Sequence, residues 1–330
     1  MLELTKKLVE AYGPSGFEDQ IRELIQAEIA SFSDEISVDA MGNLIARKKG
    51  DGSGLKVMIA AHMDEIGLMV THITKKGFLR FTNIGGIRPQ TLMGARVQFA
   101  DGTLGAIYPE KMDSWNSLHP LNKHYIDVGA ADKESCPIPI GAAAAFVRPF
   151  AVQGDQWMSK SMDDRIGCVI AIESLRRMEH TPHDVYFVFS VQEEVGTRGA
   201  QAAANGLQPD VGLAIDVTIA GDTPESQTMA IGLGAGPAIK VKDSGMISHA
   251  GLVRKMKATA TQAGIPYQLE VLDGGSTDAR SMQIAGPGCA AGCISIPSRY
   301  VHTQSEIVNA NDVENSVRLL VALLSEALDL

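Results

Sequence analysis

The clearest signal in the chain is a set of short, continuous apolar runs, each followed by polar residues. Residues 185–191 read VYFVFSV, and residues 55–61 read LKVMIAA. Runs of this length predict strands that are buried on both faces, as in a parallel sheet covered by helices. Similar strands are predicted at 211–215, 268–272 and 290–296.

Helical patterns alternate with these strands. Apolar positions recur at helical spacing over residues 17–32, and Ser15 with Glu18 forms a candidate capping box in front of them. Further helices are predicted at 164–178, 197–205, 248–263, 277–284 and 309–328. Alternation of this kind predicts an α/β fold with a mixed, mostly parallel sheet flanked by helices.

Residues 67–156 follow a different pattern. Short alternating segments such as LMVTHI and FLRFTNI are separated by turn signals, and no helix of normal length is evident. This texture predicts a compact all-β unit, a small barrel or sandwich, that interrupts the α/β domain. The predicted organisation is therefore a first catalytic part at 1–66, an insertion at 67–156 and a second catalytic part at 157–330.

Composition excludes several classes of protein. The chain has 330 residues, 45% of them hydrophobic, and a formal net charge of -10 without a dense basic run. Binding to nucleic acid or to a membrane surface is therefore disfavoured. No apolar run approaches the ~20 residues that span a bilayer. The N-terminal segment lacks the continuous apolar core of a signal peptide. Four cysteines without a C-x-x-C motif favour a reduced, cytoplasmic protein.

Metal-binding side chains recur at the ends of the predicted strands. Any one of them alone is more often a turn, a helix cap or a surface residue. In a parallel sheet, however, these positions share one edge, where so many carboxylates need a compensating charge that divalent cations can supply. The residues are His62, Asp64, Asp163, Asp164, Glu193, Glu194, Asp216 and His302.

The ligand types indicate which ions would fit. Imidazole favours zinc, cobalt or manganese over magnesium or calcium. Five ligand side chains exceed what one catalytic zinc usually takes, so two metals with a bridging carboxylate fit better. Such a pair, typically ~3.5–4 Å apart, can polarise a carbonyl and generate a hydroxide. One glutamate would remain free to carry a proton.

Five segments of the chain match one family, in that family's order and spacing. They are HMDEIG at 62–67, SMDDRIG at 161–167, QEEVGTRGA at 192–200, AIDV at 214–217 and YVHTQSE at 300–306. With them the chain resembles the tetrahedral aminopeptidases, dinuclear metallopeptidases that include glutamyl and deblocking aminopeptidases. The resemblance covers essentially the whole chain, the inserted β domain included.

The resemblance implies a ligand set for two divalent metal ions. Asp163 would bridge both ions. His62 and Asp216 would complete one site, and Glu194 and His302 would complete the other.

The resemblance also implies roles around the metals. Glu193 would be the general base, and Asp64 would orient the imidazole of His62 from behind. The peptide bond between Asp163 and Asp164 would be cis. The inserted domain would mediate assembly, usually into dimers that build a twelve-subunit tetrahedral shell. The implied reaction removes the N-terminal residue of a peptide with a free N-terminus, through a hydroxide held by the two metals.

Three alternatives stay open at this point. A deacylase, a dipeptidase or a carboxypeptidase could use the same scaffold. Some relatives have been labelled endoglucanases, but a glycosidase needs two carboxylates on opposite sides of the scissile bond, ~5–9.5 Å apart. Adjacent Glu193 and Glu194 do not suggest that arrangement. A non-catalytic binding protein on a dead peptidase scaffold is disfavoured by the complete ligand set.

The sequence does not indicate which N-terminal residue of the substrate is preferred. Basic residues in the second half of the chain could favour substrates with an acidic side chain, although the simpler interpretation is that they are ordinary surface residues. They are Lys240, Lys242, Arg254 and Arg280. The Gly-rich stretch at 232–240 lacks the context of a dinucleotide fingerprint and is interpreted as a tight loop on the substrate side.

Overall fold

The computed structural model describes residues 1–111 and 117–330. Its helices are α1 (Leu2–Glu10), α2 (Asp19–Ile29), α3 (Met162–Arg177), α4 (Arg198–Leu207), α5 (Ala250–Gln262), α6 (Asp278–Ile284) and α7 (Ala310–Leu324). Its first strands are β1 (Glu35–Val38), β2 (Leu44–Lys48), β3 (Lys56–His62), β4 (Gly67–Ile73), β5 (Leu79–Ile84), β6 (Arg96–Phe99), β7 (Leu104–Pro109), β8 (His124–Asp127) and β9 (Ala143–Phe146). The remaining strands are β10 (Ala151–Gln153), β11 (Gln156–Ser159), β12 (Asp184–Ser190), β13 (Val211–Ile219), β14 (Ala238–Lys242), β15 (Gln268–Val271), β16 (Ala290–Arg299) and β17 (Glu306–Asn309).

The larger unit is built on an eleven-stranded sheet with the order β1-β2-β12-β3-β13-β16-β17-β11-β10, which β14 and β15 extend beside β16. The centre is parallel, because β3 pairs with β12 and β13, and β13 pairs with β16. Towards the margins of the sheet the strands pair antiparallel, except that β14 pairs parallel with β15. The predicted α/β fold with a mixed sheet flanked by helices is therefore confirmed, with parallel pairing confined to the centre and to β14–β15.

Helices cover both faces of this sheet, as the continuous apolar strands require. Strand β12 illustrates the arrangement, since successive side chains point to opposite faces. Phe187 and Phe189 pack into the core that contains α3 and α7, whereas Val188 packs into the core beneath α4 and α6. Both phenylalanines are fully buried. Each contributes roughly 1.5–3 kcal/mol by leaving water.

The inserted unit is a closed barrel of six antiparallel strands in the order β4-β5-β8-β7-β6-β9. Alternate residues such as Val97 and Phe99 fill its interior together with Leu68 and Ile107. The predicted small β-barrel is thus confirmed. Strand β10 already lies in the large sheet, where it pairs with β11.

Each of the six predicted helices is present as one of α2 to α7. The largest shift of an end is four residues, from the predicted residue 328 to Leu324 in α7. The amphipathic N-terminal segment forms α1, and each of the five strands predicted from continuous apolar runs is also present. Apolar periodicity therefore located these helices and strands, but not β10, β11, β14 or β17 of the larger unit.

Two local predictions were wrong. The Ser15–Glu18 capping box does not form, because the Ser15 hydroxyl donates instead to Oδ2 of Asp64 at 2.6 Å. A fully buried carboxylate without hydrogen-bond donors costs more free energy than an uncapped helix end, because the N–H groups of the helix end can bind water instead. The stretch 232–240 is a loop only in part, since β14 begins at Ala238.

The register of the central strands positions the site. Ser190 at the end of β12 pairs with His62 at the end of β3, so the residues that follow both strands emerge at one edge. In sheets of this kind ligands bind beyond the carboxyl ends of the strands. In the described part of the chain, no helix is both long and apolar enough to cross a bilayer.

Candidate metal centre and substrate cleft

Asp163 lies between the two imidazoles that the sequence singled out. Its Oδ1 is 3.0 Å from Nε2 of His62, and its Oδ2 is 3.4 Å from Nε2 of His302. The peptide bond between Asp163 and Asp164 is cis, as the resemblance implied. The two oxygens of this single carboxylate therefore face different histidines.

The remaining candidate ligands gather on either side of Asp163. Oε2 of Glu194 is 3.1 Å from Nε2 of His302. Oδ1 of Asp216, within β13, is 4.0 Å from Nε2 of His62. Ligand atoms of His62, Asp163 and Glu194 all lie within 4.8 Å of one another. The structure therefore brings the five predicted ligands together.

Asp164, a candidate metal-binding residue that was not among the five implied ligands, also lies in this cluster. Its ligand atom is within 4.8 Å of those of His62 and Asp216. Both of its oxygens accept backbone hydrogen bonds, from the N–H of His62 at 3.2 Å and of Gly167 at 3.1 Å. Asp164 thus ties the end of β3 to α3, whereas the oxygens of Asp163 face the imidazoles.

Asp64 lies behind the cluster and is fully buried. Its carboxylate accepts hydrogen bonds from the backbone N–H groups of Glu193 and Glu194 at 3.0 and 3.2 Å. Its Oδ1 is 3.5 Å from Nδ1 of His62, and its backbone oxygen is 3.2 Å from the same nitrogen. Asp64 therefore positions both the imidazole and the two glutamates.

Burial dominates the electrostatics of the cluster. It raises the pKa of Glu193, Asp216 and Asp164 well above the usual carboxyl range, and neighbouring carboxylates raise the pKa further. For His302, burial lowers the pKa, but hydrogen bonds to Asp163 and Glu194 outweigh it and raise the pKa to about 12. The site therefore favours positive charge wherever a group can supply it.

The residues fit divalent metal ions. Oε1 of Glu194 is buried and has no hydrogen-bond partner among residues 1–111 and 117–330. A buried acceptor of this kind is costly unless a cation or a donor reaches it. Two imidazoles combined with carboxylates are the donor set of zinc, cobalt and manganese sites.

Sequence reasoning missed Glu306, which supports the cluster from below. Its Oε2 accepts the backbone N–H of Asp163 at 3.0 Å, and its Oε1 accepts that of His302 at 2.8 Å. It is the last residue of the matching segment YVHTQSE, but nothing in the sequence indicates that it reaches Asp163. Burial, together with the charge of Asp163, raises the pKa of Glu306 to about 8.

Asp278 was also missed. It lies in the first turn of α6, where an acidic residue is ordinary. Its Oδ2 accepts a hydrogen bond from Ser190 at the end of β12, while Oδ1 is buried without a partner in the described residues. Burial raises the pKa of this carboxyl to about 6.

A cleft of about 360 Å³ opens beside the cluster. Its lining includes Glu193, four of the five candidate ligands (Asp163, Glu194, Asp216 and His302) and three basic residues: Arg88, Lys240 and Arg280. The interpretation of Lys240 as a surface residue was wrong, because its side chain is 1% exposed and its Nζ lies 2.8 Å from Oε1 of Glu270. The buried carboxylate, remote in sequence, compensates its charge.

Comparison with known proteins identifies the family. Residues 42–319 match the family model described as M42 glutamyl aminopeptidase. The chain belongs to this family, and it is a hydrolase of peptide bonds.

Individual relatives match over nearly the whole chain. The lysyl aminopeptidase of Pyrococcus furiosus is 38% identical, with 98% of this chain and 96% of the relative covered. The solved structure of aminopeptidase APDkam598 from Desulfurococcus kamchatkensis is 42% identical, covers 98% of this chain and 94% of its own, and gives a TM-score of 0.94. The Pyrococcus horikoshii TET1 peptidase, which can assemble into a tetrahedron or a large octahedral shell, is 35% identical; 98% of this chain and 99% of that chain are covered, with a TM-score of 0.89.

Proposed function

We propose that this protein is a dinuclear metallo-aminopeptidase that removes the N-terminal residue of peptides with a free N-terminus. One observation carries the proposal: the carboxylate of Asp163 faces His62 through one oxygen and His302 through the other. A carboxylate flanked in this way suits a bridge between two ions. The family membership supports the class of reaction.

Two divalent metal ions, zinc or cobalt with manganese as a further option, would be held by the five clustered side chains. Asp163 would bridge, His62 and Asp216 would complete one site, and Glu194 and His302 would complete the other. When bound, such ions polarise the scissile carbonyl and lower the pKa of the attacking water. The buried Oε1 of Glu194, which has no hydrogen-bond partner within the described residues, supports this assignment.

Glu193 is proposed as the general base. It lines the cleft beside the candidate ligands, and the bond from its backbone to Asp64 fixes its position. Burial raises the pKa of its carboxyl, which makes the carboxylate a stronger base near neutral pH. Glu193 would take a proton from the attacking water and pass it to the leaving amine.

We further propose that the barrel, within residues 67–156, mediates assembly into dimers and then into a twelve-subunit tetrahedral shell. The likeness to the TET1 peptidase of Pyrococcus horikoshii supports this. The catalytic unit would comprise residues 1–66 and 157–330. The free cysteines of the described residues support a reducing location such as the cytoplasm.

The test is a substrate panel on metal-stripped protein, with zinc, cobalt or manganese added back. Aminoacyl-p-nitroanilides should be hydrolysed only after addition of metal, and their N-acetylated counterparts should not be. Preferential cleavage of the N-acetylated compounds would indicate a deacylase. Hydrolysis of a cellulose substrate that survives chelation would indicate a glycosidase and contradict the proposal.

A further inference from the structure

Two exposed arginines on different elements line the cleft. Arg88 belongs to the segment that follows β5 and precedes a short 3-10 turn, and Arg280 belongs to α6. Arg299, by comparison, pairs with Asp222 at 2.8 Å. Neither Arg88 nor Arg280 has a carboxylate within 4.0 Å in the ranges that the structure describes, so both guanidinium groups are available to an anionic ligand.

The elements that carry these arginines border the candidate metal centre. A Cβ atom added to Gly86 would lie 2.6 Å from Nδ1 of His302, so the backbone two residues before Arg88 touches a candidate ligand. In α6, Asp278 lies two residues before Arg280 and accepts a hydrogen bond from Ser190 at the end of β12. Both arginines are therefore close to the reaction centre without belonging to it.

The charge of Lys240, on the buried side of the cleft, is compensated by two carboxylates. Nζ of Lys240 lies 2.8 Å from Oε1 of Glu270 and 3.6 Å from Oδ2 of Asp243. One ammonium group facing two carboxylates does not attract an acidic substrate side chain. The uncompensated positive charge of the cleft thus belongs to its two exposed arginines.

We propose that Arg88 and Arg280 bind the C-terminal carboxylate of short peptide substrates. This inference rests on the aminopeptidase function proposed above. An aminopeptidase holds the amine end of its substrate at the metals, so the rest of the peptide leaves through the exposed side. In a cleft of about 360 Å³ only a peptide of a few residues ends beside these arginines. Guanidinium groups suit carboxylates, because they can bind both oxygens at once.

The test compares Leu-Gly-Gly with its C-terminal amide. Wild-type protein should prefer the free acid by about tenfold or more in kcat/KM, and the preference should shrink as salt screens the charges. In Arg88→Ala and Arg280→Ala, the acid-to-amide ratio should fall about tenfold, through KM rather than kcat. Arg254→Ala is the matched control, because exposed Arg254 in α5 does not line the cleft. It should keep the wild-type ratio.

Each other outcome has a defined meaning. Equal kcat/KM for acid and amide in the wild type, or an unchanged ratio in both variants, would overturn the proposal while leaving the aminopeptidase function intact. Selective loss of glutamyl-p-nitroanilide cleavage in the variants would assign the arginines to an acidic N-terminal side chain and overturn it as well. Metal-loaded wild type that cleaves neither these peptides nor any aminoacyl-p-nitroanilide of the panel above would refute the proposed function and this inference together.

Discussion

The carboxylate of Asp64 accepts a hydrogen bond from the backbone N–H of Glu193, with 3.0 Å between Oδ1 and the nitrogen. Because Asp64 follows β3 and Glu193 follows β12, the bond joins the ends of two adjacent parallel strands. Burial would raise the pKa of Asp64, but its hydrogen bonds, first of all with His62, lower the pKa overall. Asp64 is therefore an anchor for the proposed base as well as for an imidazole.

Replacing Asp64 by Asn should lower kcat/KM by roughly 10–100-fold, since supporting residues of this kind typically have effects of that size. The backbone N–H groups of Glu193 and Glu194 each donate to one carboxylate oxygen of Asp64. Asparagine would replace one of these oxygens by an NH2 group, which cannot accept a hydrogen bond. Steady-state kinetics and metal content should be measured on the same preparation. Asp329→Asn, at an exposed position near the C-terminus, is the control. Wild-type kinetics in Asp64→Asn would contradict this role.

Replacing Asp163 by Ala should remove both metals and all measurable turnover, because its two oxygens face the two halves of the cluster. Asp216→Ala should weaken only one site. Elemental analysis of bound metal per chain, after dialysis against metal-free buffer, distinguishes the two variants. Asp163→Ala protein that still holds two ions would rule out the bridge.

Removing the metals should destabilise the fold, because buried carboxylates and Oε1 of Glu194 lose their compensating charge. A ligand at 100 times its dissociation constant stabilises a protein by about 2.7 kcal/mol. Thermal unfolding with a chelator should therefore occur several degrees lower than with zinc, and magnesium should restore less than zinc does. An unchanged Tm in protein shown to be metal-free would count against a built metal site.

Stability should depend on pH through Glu18. Burial raises the pKa of this carboxyl from 4.5 to about 7, so the folded state binds a proton more tightly than the unfolded state does. The contribution of Glu18 to the free energy of unfolding is fully present below about pH 4.5 and is lost as the pH rises through about 7. In chelator-treated protein, Glu18→Gln should lack this loss.

The variant should thus gain on the order of 1–3 kcal/mol over wild type at pH 8 and little at pH 4. In the wild type, Oε1 of Glu18 accepts hydrogen bonds from the backbone N–H groups of Gly16 and Gln192. Glutamine keeps a side-chain oxygen that can accept both bonds. Denaturant unfolding at both values of pH measures the difference. Parallel stability curves for variant and wild type would refute the assignment.

The fold and the location of the cluster could be predicted from sequence for one physical reason. Apolar runs identify buried parallel strands, and the carboxyl ends of such strands meet at one edge. His62, Glu193 and Asp216 could therefore be expected to lie together before any distance was known. Their separate roles came from the resemblance, because strand periodicity does not distinguish a metal ligand from a base.

Individual hydrogen bonds and ion pairs between distant segments could not be predicted. Ser15 had a local partner for a helix cap, yet it binds Asp64 because the buried carboxylate is the stronger acceptor. Lys240 is buried against Glu270, which lies on another strand and 30 positions away. Glu306 supports two backbone groups through a fold-dependent geometry. No sequence periodicity reports such pairings, since they depend on packing of elements that are far apart in the chain.

Glu193 and Glu194 are proposed to have different roles, one as base and one as metal ligand, and a matched pair of variants separates them. Bound metal per chain and kcat on an aminoacyl-p-nitroanilide are measured for Glu193→Gln and Glu194→Gln. Glu193→Gln should keep two ions and lose roughly 10²–10⁴-fold in kcat, the size of a general-base contribution. Glu194→Gln should lose metal from one site. Near-normal turnover in Glu193→Gln, or full metal content in Glu194→Gln, would contradict the claim.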